Sequence, residues 1–213
     1  MIRIKTFSEG LLDSNEYLVW NESSGHAAII DCGNYMQETE RFVKENSLCV
    51  DYIILTHGHY DHAEFTEDHK VAFPTAKLIC HTSEVAVLRD PMANLSAYFG
   101  DAVAYPDPDI KLKNGDNVVI RGNSTENDIV FRVIDAPGHT PGSFCLLCDK
   151  EQIMFTGDVL FRRGCGRTDF KYGDELTMQK TLRSILSLPA EITFYSGHGA
   201  PSKIGDELPI YGI

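Results

Sequence analysis

Between residues 56 and 62 the chain reads Thr56-His57-Gly58-His59-Tyr60-Asp61-His62, which places four side chains able to bind a metal within six positions. Neutral imidazole and carboxylate are ligands of zinc, iron and manganese. One ion rarely draws four ligands from so short a segment, so the crowding points to two ions. The cluster follows the apolar run Tyr52-Ile53-Ile54-Leu55, which reads as a buried strand. Gly58 allows a turn between the first two histidines. A strand that ends this way delivers imidazoles and a carboxylate to one edge of a sheet.

Three more candidate ligands share that context. His139 lies in Ala136-Pro137-Gly138-His139-Thr140-Pro141-Gly142, Asp158 in Phe155-Thr156-Gly157-Asp158, and His198 in Ser196-Gly197-His198-Gly199. Each follows an apolar run and sits beside glycine, which lets the backbone turn sharply and approach a site closely. The seven divide into two sets. His57, His59 and His139 would hold one metal; Asp61, His62 and His198 would hold the second; Asp158 would bridge through its two oxygens. Paired metals stand roughly 3.5–4 Å apart and share a hydroxide, whose parent water they acidify toward a pKa of about 7. His26, His69 and His81 lack this context and read as surface or hydrogen-bonded core residues.

The elements that must position these ligands fall into two similar groups. Strands are expected at 2–7, 16–20, 27–31, 52–55 and 77–80, with helices at 36–47 and 83–89. Asp31-Cys32-Gly33-Asn34 reads as a turn, and the proline-rich stretch 91–109 as an irregular excursion. A second group follows: strands at 117–120 and 129–135, a hairpin of 143–148 and 152–155, a polar loop at 161–174, an amphipathic helix at 175–187 and a last strand at 192–195. The helix is placed by Leu176, Leu182, Ile185 and Leu186. Two packed sheets flanked by helices account for this order better than one doubly wound sheet.

Composition narrows the function classes. A chain of 213 residues with 43% hydrophobic content suits one soluble domain with a sizeable core. A formal net charge of −12 opposes binding to nucleic-acid backbones. No apolar run approaches the ~18 residues of a membrane span, and the alternating N-terminus lacks a signal peptide's apolar stretch, so no membrane association and a cytoplasmic location are expected. Six cysteines without a secretory signal do not suggest a disulfide framework. Cys145 and Cys148 form a C-x-x-C, but residues three apart on a strand face opposite ways and cannot share a metal.

The set His57-x-His59-x-Asp61-His62, Gly138-His139, Gly157-Asp158 and Gly197-His198-Gly199 resembles the metallo-β-lactamase superfamily, in order and over nearly the whole chain. The resemblance implies an α/β (α+β) fold, the four-layer αββα sandwich, as a single domain over 1–213 with metals at one edge between the sheets. Asp158 at the bridging position, the run Gly157-Asp158-Val159-Leu160-Phe161 and the turn Gly164-Cys165-Gly166-Arg167 are similar to the glyoxalase II group, the hydroxyacylglutathione hydrolases. That similarity implies a dinuclear metal-dependent thioesterase. A metal-bridging hydroxide would attack the thioester carbonyl, with Asp61 and Asp158 catalytic. Two divalent ions are implied, zinc foremost, with iron or manganese as alternatives. The substrate would be a small-molecule thioester, glutathione-derived ones included.

Arg167 stands where two-domain members of that group place a glutathione-binding lysine. Arg162, Arg163, Lys171 and Tyr172 are expected to line the same substrate loop. The chain ends fifteen residues after His198, so the C-terminal helical domain that completes the glutathione site is expected to be absent. Ala200, and Thr168-Asp169-Phe170, replace tyrosine-bearing positions of that group. The run Arg163-Gly164-Cys165-Gly166-Arg167-Thr168-Asp169-Phe170 also resembles the persulfide dioxygenases, which implies a second reading: one iron on His57, His139 and Asp158, with open positions for oxygen.

Overall fold

The computed structural model describes residues 1–34 and 36–212. Strands β1 (Ile2–Phe7), β2 (Glu16–Asn21), β3 (His26–Ile30), β4 (Cys49–Ile54), β5 (Lys77–His81) and β6 (Ile110–Leu112) form one sheet in chain order. The first three are antiparallel and the last four parallel. Strands β7 (Asn117–Ile120), β8 (Ile129–Asp135), β9 (Phe144–Cys148), β10 (Ile153–Gly157), β11 (Thr193–Ser196) and β12 (Ser202–Lys203) form the second sheet, also in sequential order. There only β10 and β11 run parallel. The expected pair of packed sheets is what the chain builds.

Period-two alternation sorts the strand side chains into layers. Tyr17, Val19, Ala28, Ile30 and Ile54 from the first sheet meet Phe131, Val133, Phe144, Leu146 and Phe155 from the second in the central core. The intervening residues Leu18, Ile29, Ile53, Leu55 and Leu78 face outward against Val43 of helix α1 (Met36–Glu45) and Ala63 of α2 (Tyr60–Ala63). Helix α3 (Thr66–Ala72) follows, then α4 (Val85–Arg89), whose Leu88 joins that outer layer. On the other side Cys145, Leu147 and Met154 pack on Met178, Leu182, Ile185 and Leu186 of helix α6 (Glu175–Leu186). The expected apolar face of α6 needs one correction. Leu176 is 70% exposed, and Met178, two positions on, takes the buried place. The helix starts where the Asp174 carboxylate accepts from Thr177 N at 2.6 Å, which fixes the phase of the turn. Cys145 and Cys148 sit in different layers, as their spacing requires.

Short elements complete the fold: β6, β12, α5 (Ser96–Phe99) within the proline-rich excursion, and α7 (Ile204–Glu207). Neither short strand nor α3 is expected from the sequence. Strand β4 also starts earlier than its apolar run, at Cys49. Among the described residues no helix is long and apolar enough to cross a membrane.

Candidate metal centre

Parallel pairing brings the ends of β3 and β4 level, with Ile30 opposite Ile54. The chain leaves β4 into the histidine segment. His59 immediately precedes α2, and Asp61 and His62 lie on its short turn. Two contacts pin that turn to the first sheet: Cys32 N donates to His62 O at 2.7 Å, and Ser14 Oγ to Asp61 O at 2.7 Å. His139 comes from the β8–β9 turn, Asp158 follows β10, and His198 follows β11. The two sheets meet at this edge through an isolated bridge between Ser14 and His198.

All seven expected ligands converge here. His57, His59 and His139 form one group, and Asp61, His62 and His198 another; His57, His62 and Asp158 form a third that joins them. Ring centroids of His57, His59 and His139 lie 4.5 to 4.8 Å apart. Asp158 stands between the sets: Oδ1 is 3.3 Å from His62 Nε2, and Oδ2 is 3.6 Å from Nε2 of both His139 and His198. Asp61 Oδ2 is 3.1 Å from His198 Nε2. Nε2 of His57, His59 and His139, and Oδ1 of Asp158, are buried without a hydrogen-bond partner. Buried polar atoms are rarely left so. Orphaned imidazole nitrogens converging on a carboxylate are the donor set of divalent zinc, iron or manganese, so the residues fit a metal.

Neighbouring groups set each ring's outward atom. His139 Nδ1 donates to Arg167 O at 2.6 Å, which turns Nε2 inward. His62 Nδ1 donates to Asp31 Oδ2 at 2.9 Å. Asp31 also accepts from Thr56 N at 2.8 Å and Thr56 Oγ1 at 2.9 Å, so one carboxylate ties the end of β3 to the start of the ligand segment. Its backbone is left-handed, at φ 62°. Close packing demands glycine at two positions: a Cβ on Gly197 would lie 2.1 Å from Asp158 Oδ1, and one on Gly166 1.9 Å from Asp158 O.

Electrostatics divides the centre. Burial, then neighbouring imidazoles, pushes His59 down to about 3 and holds His57 well below its ordinary value. Burial lowers His139 as well. These directions favour the neutral form of the three rings, the form that binds a metal, whereas His62 and His198 would have to release a proton on binding one. Burial also acts against charge on His62, but Asp61, Asp158 and Asp31 outweigh it and hold that imidazole well above its usual value. His198 is raised for the same reason, Asp61 being its strongest partner. Burial opposes ionisation of Asp158, yet His62 and the other imidazoles hold it well below the carboxylate range.

Beside the ligands lies a cavity of about 330 Å³ with apolar walls of Leu12, Leu95, Phe99, Phe161 and Phe170. Leu12 and Leu95 hold left-handed backbone, at φ 53° and 71°, a conformation costing an L-residue about 1–2 kcal/mol. Of the basic loop expected to face substrate, Arg167 lines the cavity; among the described residues, Arg162, Arg163, Lys171 and Tyr172 do not. The reason is local pairing. Lys171 Nζ bonds Asp90 at 2.5 Å and lies 5.2 Å over the Tyr172 ring, and the Arg163 backbone is fixed to Glu207. Arg167 is itself engaged, with two 2.6 Å bonds to Asp169 and its guanidinium 4.2 Å over Phe170.

Two contributors have no signature in the sequence. Asp31 reads there as part of a turn; an acid ending a strand beside the ligand strand is the one available hint. Glu84 is fully buried and accepts from Gly58 N at 2.8 Å and Gly142 N at 2.6 Å, so it clamps the ligand loops of both sheets together.

A model of the metallo-beta-lactamase superfamily matches residues 10–198 of the chain. The hydroxyacylglutathione hydrolase GloC of Haemophilus influenzae is 30% identical over 199 residues, covering 89% of this chain and 87% of that one. Among solved structures, the BLEG-1 B3 metallo-beta-lactamase superposes with a TM-score of 0.87 at 31% identity, covering 97% of each chain. TTHA1623, solved in a di-iron-bound form, gives 0.81 at 27%, covering 95% of this chain and 96% of its own.

Proposed function

Since the chain belongs to the metallo-beta-lactamase superfamily, we propose that it is a hydrolase with a two-metal centre, specifically a thioesterase of the hydroxyacylglutathione hydrolase type. The position of Asp158 carries this reading: its carboxylate reaches His139 of one ligand set and His62 and His198 of the other, and Nε2 of His57, His59 and His139 lacks a hydrogen-bond partner. His57, His59 and His139 would hold one ion, Asp61, His62 and His198 the other, and Asp158 both. Zinc is the metal we favour; the di-iron form of TTHA1623 supports iron as the alternative. Bound ions would supply Lewis acidity toward a carbonyl oxygen and acidify water for attack.

The chain's own residues do the rest. Asp61 lines the cavity with an ionised carboxylate and orients the attacking water. Leu95, Phe99, Phe161 and Phe170 exclude bulk water and accept the apolar part of a thioester. Arg167 is the cation available to a carboxylate-bearing thiol carrier, and such a carrier must compete with Asp169 for it. The 30% identity to a hydroxyacylglutathione hydrolase supports glutathione-derived thioesters as substrates. Six free cysteines suit a reducing compartment, and we place the activity in the cytoplasm.

The test is turnover of S-lactoylglutathione and short acyl thioesters by metal-reconstituted protein, in air and in anaerobic buffer. Thiol release at equal rates in both, with two metals bound per chain, is expected. Oxygen uptake with glutathione persulfide and no thioester cleavage would replace the hydrolase by the dioxygenase reading.

A further inference from the structure

Strand β4 carries chemistry at its other end too. His26 begins β3, Cys49 begins β4, and the two residues are direct neighbours in the parallel register. Two positions on, β4 inserts an extra residue: Ala27 pairs with Val50 but Ala28 with Tyr52, leaving Asp51 as the bulge. The bulge sets Asp51 beside His26 and Cys49, and the donor atoms of all three lie within 4.8 Å of one another. His26 Nδ1 lies 2.7 Å from Asp51 Oδ2, and both atoms are shielded from water with no hydrogen-bond partner beyond this contact. Cys49 Sγ is exposed and lies 4.0 Å from Asp51 Oδ1. Arg121 holds that same Oδ1 at 3.2 Å, fixing the carboxylate while leaving Oδ2 to His26.

The geometry points to a second metal site, distinct from the catalytic edge, in which His26 Nδ1, Cys49 Sγ and Asp51 Oδ2 bind a zinc-like divalent ion. One nitrogen, one sulfur and one oxygen suit zinc, with solvent completing a tetrahedron. On binding, the Cys49 S–H bond breaks, a sulfur–metal bond forms and the proton passes to solvent; nothing is oxidised or reduced. Arg121 is the outer partner that orients the carboxylate. The assignment does not depend on the thioesterase reading.

Cobalt(II) is the probe, because the seven ligands of the main centre include no sulfur. Metal-free protein titrated with cobalt should develop a sulfur-to-cobalt charge-transfer band that saturates at one thiolate-bound ion per chain. Cys49→Ser should abolish the band and His26→Asn should weaken cobalt affinity at least tenfold. Cys165→Ser, which removes the other exposed thiol, should leave the band intact. Thioester hydrolysis by zinc-loaded Cys49→Ser protein should match the parent, which separates this site from the main centre. No band at saturating cobalt, or a band that survives Cys49→Ser, would overturn the assignment.

Discussion

Asp158 joins the two ligand sets, so its loss should be felt by both. Asp158→Ala is expected to lower bound metal at each position and to cut activity by orders of magnitude. His81→Ala is the control: His81 is buried, 3.2 Å from Asp135, and belongs to none of the candidate ligand groups. Metal analysis and rate assays on the pair check this, and equal damage would mean the ligands are misassigned. Arg167 and Asp169 make a second pair. Freeing the guanidinium with Asp169→Asn should lower KM for S-lactoylglutathione, whereas Arg167→Ala should raise it; a neutral acyl thioester should respond to neither. Equal changes for both substrates would give Arg167 a structural role. The converging residues were legible in the sequence because four of them crowd into 57–62 after an apolar run, and His139, Asp158 and His198 each follow such a run beside a glycine. Asp31 and Glu84 were not, since what they hold are backbone amides and a remote ring, and no spacing rule encodes those.

At the scale of elements, α3 is anchored to β2 by charge. His69 Nδ1 donates to Phe65 O at 2.7 Å, and Nε2 lies 3.3 Å from Glu16 Oε2, with the His69 and Glu16 side chains fully buried. Burial pulls this imidazolium's pKa down, but Cys32 and Glu16 together hold it well above its ordinary value. The folded pKa therefore exceeds the unfolded one of about 6.5. The pair's stabilisation is fully present below that value and is lost as pH rises through the folded pKa. His69→Gln should accordingly destabilise the fold more near pH ~6 than near pH ~9, read from urea midpoints of mutant and parent. A gap independent of pH would remove charge from the account. Longer strands and α6 were legible through their periodicity. Helix α3 was not, because Thr66-Glu67-Asp68-His69-Lys70 shows almost no apolar spacing and its buried face is polar. Strands β6 and β12, of three and two residues, are too short to show any period.

For the molecule as a whole, the centre draws ligands from both sheets, so a bound ion ties the layers together. Ligands that bind only the native state stabilise it by mass action, by about 2.7 kcal/mol at a hundredfold excess over Kd. Stripping the metals with a chelator should therefore lower Tm, and zinc should restore it; a Tm indifferent to chelation would mean that the ligand edge is held without metal. Each sheet is also one uninterrupted stretch of chain, β1 to β6 and then β7 to β12, joined by the exposed turn at 113–116. A cut there would separate two polypeptides, each with a whole sheet and neither with a complete ligand set. The first would keep His57, His59, Asp61 and His62; the second would keep His139, Asp158 and His198. Catalysis would then report the reunion of two halves, which makes the fold a natural two-piece complementation reporter.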